Sequence, residues 1–241
     1  MFKPIDVAKY AEQYLLRLGH KVLFMSATLL SHDKFAQTLG IDKDQISGKS
    51  LPSPFPTSNR PILHVPMGKM TSKEIDNTLP VLCSAIEKIL EQHKEEKGII
   101  HTHSYKISNY IKNNVKSSRL LFSTASDRDD ILKKHMKSKK ATVLVSPSMT
   151  EGVDLKGDFS RFQILCKVPY PFLGDKIVKK RMNKWKWWSS FQTAKSVIQS
   201  IGRSIRSKDD KAVTYILDSD WSRFFKYNAG LFPKDFLKCI K

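Results

Sequence analysis

Short apolar runs rich in β-branched residues alternate along this chain with longer stretches of helical periodicity, and no other feature restricts its fold as much. Runs with strand character fall at residues 22–25, 62–65, 99–102, 120–122, 142–146, 162–168 and 213–217. Helical patterns occupy 5–18, 33–39, 74–97, 105–115, 128–136, 177–188, 193–207 and 220–227. Several strand runs, such as Val143-Leu144-Val145, are continuously apolar and not alternating, so both faces of the sheet must be covered. The expected architecture is α/β: a mostly parallel sheet with helices on both faces. Ligands of such sheets sit at the C-terminal ends of the strands. Residues 47–66 carry five prolines and little periodicity, which reads as a long surface connection.

Charge narrows the class of partner. The 241 residues hold 42 Lys and Arg against 23 Asp and Glu, a formal net charge of +19. Self-repulsion at that charge opposes compaction, so the excess points to a polyanionic partner. Only three cysteines occur, Cys83, Cys166 and Cys239, far apart in sequence. That excludes a disulfide framework and a local thiolate metal site, and suggests a reducing, intracellular compartment. No apolar run approaches the roughly 20 residues that span a bilayer, so no membrane partner is expected.

Three constellations carry chemistry. The first is Gln199-Ser-Ile-Gly202-Arg203-Ser-Ile-Arg206. On a helix at about 100° per residue, Val197, Ile198, Ile201 and Ile205 share one arc, and Gln199, Gly202, Arg203 and Arg206 share another. Lys is this chain's usual cation, so two Arg residues three apart are pointed: a planar guanidinium matches phosphate oxygens bidentately. The second is Thr150-Glu151-Gly152-Val153-Asp154, following the run at 142–146. There Gly152 can offer a backbone N–H to a phosphate, and Asp154 can accept from a ribose hydroxyl or orient an Arg. The third is Met25-Ser26-Ala27-Thr28-Leu29, two hydroxyls at a strand end. A fourth segment, 176–188, holds six cations and three of the four tryptophans, and Lys179 and Lys180 within it suit a cationic groove for a single strand. The pair His101 and His103 offers only two metal ligands, which argues against a metal site.

Taken in order, these motifs resemble motifs III, V and VI of superfamily-two helicases. Arg203-Ser-Ile-Arg206, and the run Val168-Pro-Tyr-Pro-Phe172, look like the XPD/DinG branch, and 99–105 is similar to its motif IV strand end. Gly48-Lys49-Ser50 is not a phosphate loop, because Lys43 stands where the leading Gly belongs. Nor does an acidic box follow a strand. The resemblance therefore implies a RecA-like second motor domain at 31–241. Residues 1–30 would be the motif III strand and its preceding helix, a remnant of or link to the first motor domain.

That resemblance also implies roles. Arg206 would be the arginine finger, with Arg203 beside it on the γ-phosphate and Gln199 orienting them or the attacking water. Asp154, Gly202 and Gly152 would lie at the nucleotide. Thr102, Ser104, Tyr105 and Thr150, with Lys179 and Lys180, would line the single-stranded DNA track, and Ser26 and Thr28 would couple the two. ATP and Mg²⁺ would be held mainly by an N-terminal helicase domain, as another part of the same gene product or a separate chain. Any iron–sulfur cluster would lie outside these residues. The alternative is a non-catalytic nucleic-acid-binding module derived from such a helicase.

Overall fold

A computed structural model describes residues 4–124, 126–148 and 154–241. Its strands are β1 (Ile62–Gly68), β2 (Gly98–His101), β3 (Leu120–Phe122), β4 (Val143–Ser146), β5 (Phe162–Leu165) and β6 (Val213–Asp218). They form one sheet in the order β1-β6-β5-β2-β4-β3, and every pairing is parallel. The helices are α1 (Ala8–Tyr14), α2 (His32–Leu39), α3 (Ile75–Gln92), α4 (Tyr105–Asn114), α5 (Arg128–Lys137), α6 (Lys176–Lys184), α7 (Trp188–Ile201), α8 (Asp220–Asn228) and α9 (Lys234–Leu237).

The continuous apolar runs do what their composition requires. Ile100, Val143, Val145, Phe162, Ile164 and Leu217 point to the face covered by α3 and α4. Their neighbours along the strands take the opposite face. There Leu165 and Ile216 meet Ala194, Val197 and Ile201 of α7 and Trp221 of α8, while Ile99 and Leu144 meet Leu155 and, from α5, Ile131 and Leu132. The result is a three-layer α/β sandwich with β2 and β5 at its centre.

The edges are handled locally. β1 is an edge strand, which lets Pro66 sit in it where no ladder N–H is needed. The proline-rich connection is thus shorter than 47–66, since 62–68 has joined the sheet. The chain end closes on that edge: Cys239 accepts from the Ile62 N–H at 2.8 Å, and the Lys241 N–H donates to Ile62 at 3.0 Å. At the opposite end of the sheet, Arg119 donates to the carbonyls of Leu90, His93 and Glu96 at 2.6–2.7 Å, satisfying the frayed end of α3.

Three expectations fail, one of them the helix at 193–207, which ends at Ile201. Residues 22–25 form no strand, and Leu23 and Met25 are 81% and 84% exposed. An apolar run becomes a strand only where a sheet edge receives it, and none of the described edges does. The pattern at 177–188 is also not one helix: α6 stops at Lys184, Trp185 turns inward, and α7 restarts at Trp188.

Candidate functional site

The arginines lie beyond the helix on which their spacing would place them. α7 ends at Ile201, and Gly202 is its C-cap, so Arg203 and Arg206 stand in the loop that follows. The apolar arc is nevertheless real, with Val197, Ile201 and Ile205 buried. Tertiary partners have taken over the backbone groups that a longer helix would have paired internally. The Arg203 carbonyl accepts from the Leu155 N–H at 3.2 Å. The Ser204 hydroxyl donates to Ser160 Oγ at 2.7 Å. The Asp210 carboxylate accepts from the N–H groups of Arg206, Ser207 and Gly157 at 2.8, 2.7 and 2.9 Å. Gly157 meets this demand with φ of 62°, a left-handed conformation suited to glycine.

Asp210 is therefore a clasp that sequence reasoning missed. It ties the arginine loop to the segment 154–160. Burial opposes its ionisation, but the three N–H donors prevail and hold its carboxyl below the usual range. Its only sequence signal was an acidic residue four past Arg206, which is indistinguishable from a solvated charge.

The clasp fixes where the guanidinium goes. Arg206 Nε donates to Asp154 Oδ1 at 3.0 Å. Arg206 borders a cleft of about 540 Å³ whose walls include Lys156, Phe159 and Ser207. Arg203 lies close enough to His101 for its charge to oppose protonation of that ring. On α7, Gln199 Nε2 donates to Thr28 Oγ1 at 3.4 Å, and Thr28 N–H donates to Ser26 Oγ at 3.1 Å. The structure thus forms two hydrogen-bonded sets, Ser26 with Thr28 and Gln199 at α7, and Arg206 with Asp154 beyond its C-terminal end. Thr150 and Gly152 fall outside the described residues.

The other candidates lie past the end of β2. Thr102 is fully buried, and its hydroxyl donates to the Ser104 carbonyl at 3.1 Å. Ser104 caps α4, its Oγ accepting from the Ile107 N–H at 3.4 Å. Both hydroxyls are thus engaged internally, while Tyr105 is exposed. His101 and His103 stack with ring centroids 6.0 Å apart. Burial, then each one's charged neighbours, pushes them down to about 3 and about 4, so both are neutral. Among the described residues no group of three or more metal-ligating side chains forms.

Lys179 and Lys180 are exposed on α6, but the tryptophans beside them are not free platforms. Trp185 and Trp188 are buried. Trp187 Nε1 donates to Gln37 Oε1 at 2.9 Å, and Lys34 lies over its ring. Arg181 reaches the carbonyls of Pro4 and Ile5, and Lys184 pairs with Asp6. Residues 4–6 and α2 thus dock on α6 and Trp187 and use the aromatic face expected to stack on a strand.

Comparison with known proteins completes the picture. The chain belongs to the Helicase C-terminal domain family, whose profile matches residues 86–236. It is 25% identical over 230 residues to the ATP-dependent DNA helicase YoaA of Escherichia coli, covering 90% of this chain and 36% of that protein. It is 27% identical over 237 residues to the ATP-dependent DNA helicase DinG of Photobacterium profundum, covering 89% and 34%. The chain thus spans about a third of the length of these curated relatives. A solved apo structure of XPD superposes with a TM-score of 0.72 at 17% identity, over 93% of this chain and 50% of that one. The RecA-like fold of the second helicase domain is thereby established.

Proposed function

We propose that the chain is the C-terminal motor domain of an ATP-dependent DNA helicase of the XPD/DinG type, supplying one wall of an ATP site and part of a single-stranded DNA track. The observation that carries this reading is the clasped loop. Asp210 and Leu155 hold the loop that carries both arginines, Arg206 lines an open cleft, and Asp154 aligns its guanidinium. A fixed guanidinium spends little entropy when charge develops on a transferring phosphoryl group, which is how such fingers accelerate hydrolysis.

In this reading Arg206 is the finger and Arg203 its companion. Gln199 positions them through α7 and senses Ser26 and Thr28. Asp154 holds Arg206 until the γ-phosphate competes for it. The local carboxylates are already engaged: Asp210 by three N–H donors, Asp154 by Arg206 and Asp158 by Arg161. The metal and the phosphate cradle therefore belong to the first motor domain, to which residues 1–30 would connect, and the described residues provide neither. The net positive charge and the exposed Lys179, Lys180 and Tyr105 serve the strand.

The test is complementation. The 241-residue chain, given ATP, Mg²⁺ and single-stranded DNA, is expected to show no turnover. Adding a protein that carries the matching phosphate loop and acidic box should produce DNA-stimulated hydrolysis. Turnover by the chain alone that Arg206→Ala abolishes would refute the shared site.

A further inference from the structure

A second cleft, of about 340 Å³, opens at the C-terminal edge of the two central strands, away from the arginine loop. Tyr170 and Pro171 form one wall, from the loop after β5. Trp188, Gln192 and Ser196 form the other, from one side of α7, and His103 lies between them. Aromatic walls with a few neutral polar groups suit a flat organic ring better than a phosphate. The nearest ring nitrogen is uncharged, because burial and then the Lys167 charge push His103 down to about 4. His103 also holds φ of 48°, a left-handed conformation rare for a residue with a side chain, and its Nε2 lies 3.3 Å from Ser200 Oγ. Strain kept in place by tertiary bonds is often found at ligand sites.

The rim has the opposite character. Lys167 is near enough to His103 to influence it, and Lys195 lies one turn from Gln192 on α7. The aromatic wall is rigid before any ligand arrives. The Val168 N–H donates to Asp218 Oδ2 at 2.9 Å, and Tyr170 OH donates to Asp220 Oδ2 at 2.6 Å. Asp220 in turn accepts from Arg223 through both carboxylate oxygens. At the tip of the same loop Phe172 is 78% exposed.

We propose that this cleft is a nucleobase subsite: a single DNA strand rides its phosphates on Lys167 and Lys195 and turns one base against Tyr170, within hydrogen-bonding reach of Gln192 and His103. This deepens the single-strand reading above and rests on it. Cationic rim and neutral aromatic interior match the two halves of a nucleotide in a chain, where stacking is sequence-tolerant and a splayed base edge can be read.

The test measures anisotropy of a fluorescein-labelled oligothymidylate with the 241-residue chain, against an oligomer of equal length whose sugars carry no bases. Phosphate count is the same in both. Loss of the bases is expected to weaken binding about 5- to 150-fold, the range for one stacked base. Gln192→Leu and Tyr170→Ala should erase most of that difference, while Tyr170→Phe, which keeps the ring, should preserve it. A melting scan of each variant separates binding loss from misfolding. Equal affinity for both oligomers, with the steep salt dependence retained, would overturn the subsite and leave the track standing. Thymidine monophosphate competing as well as the oligomer would overturn the strand as occupant. No binding of either oligomer at low salt would overturn both readings.

Discussion

At the residue scale the central question is what Arg206 contributes beyond charge. Its Nε faces Asp154 Oδ1 at 3.0 Å, so alignment depends on the planar group. Arg206→Lys keeps the charge and loses the fork. In the complete motor, turnover is expected to fall about 10³-fold or more with nucleotide affinity largely kept. Steady-state hydrolysis beside nucleotide titration separates the two. A fall of under about threefold would remove Arg206 from the chemistry. Asp210 makes a different prediction. Asp210→Ala strands three buried-side N–H groups and should cost about 1–3 kcal/mol. Urea titration of the chain would read that loss, and the same variant should lower turnover in the complete motor because the arginine loop loses its clasp.

At the element scale, the behaviour of residues 22–25 is instructive. The run has strand composition, yet Leu23 and Met25 face solvent. Residues 4–6, α2, Thr28 and the stretch around Leu30 tie this end to the domain, through contacts such as Trp187 with Gln37. The double substitution Leu23→Ser with Met25→Ser is therefore expected to change the stability of this chain by less than about 0.5 kcal/mol, as for exposed sites generally. If residues 1–30 link to the first motor domain, the same change should weaken complementation with a phosphate-loop partner. Loss of stability in the chain alone, seen in its melting curve, would instead place these residues in a core. The break between α6 and α7 follows a similar logic. Trp185 and Trp188 gain more from burial than the backbone loses by interrupting one helix, since a large aromatic is worth a few kcal/mol when buried.

At the scale of the whole molecule, two long-range properties follow. The +19 charge should make single-stranded DNA binding weak, about 10⁻⁴ to 10⁻⁶ M, and steeply salt-dependent. Anisotropy at several salt concentrations checks this, and a flat response would sink the electrostatic account. The second property is acid sensitivity. His101 and His135 are buried, and burial pushes them from 6.5 down to about 3 and about 4. His135 is held neutral between Phe159 O and Thr142 Oγ1. For groups whose folded pKa is depressed, the unfolded chain takes up the proton first. Their stabilisation is complete above about 6.5 and is lost as pH falls toward the folded values, by up to about 1.4 kcal/mol per pH unit for each. Urea midpoints should therefore drop between pH 6.5 and 4.5, and His135→Gln should flatten the slope. A midpoint unchanged over that range would mean the rings are not buried neutral.

Most of the architecture was already written in local pattern. Continuous apolar runs such as Val143-Leu144-Val145 have one stable use, a strand covered on both faces, so the parallel sheet followed from period and length. The arc Val197, Ile201 and Ile205 likewise fixed which side of α7 faces the sheet. The pairing of Gln, Gly and two Arg marked the segment proposed to meet phosphate, because guanidinium geometry is a property of residue type. Where those groups end up was decided only in three dimensions. α7 stops at Ile201 because Leu155, Ser160 and Asp210 offer the next backbone and side-chain groups better partners than another helical turn would. Thr102 and Ser104 turn their hydroxyls inward for the same reason, and Trp187 near Lys180 is engaged by Lys34 and Gln37 of α2. Residues 22–25 failed to become a strand for want of an edge to receive them. Periodicity records which side chains seek burial; hydrogen-bond partners distant in sequence determine which backbone groups are still free to form an element. Only the folded chain brings those partners together.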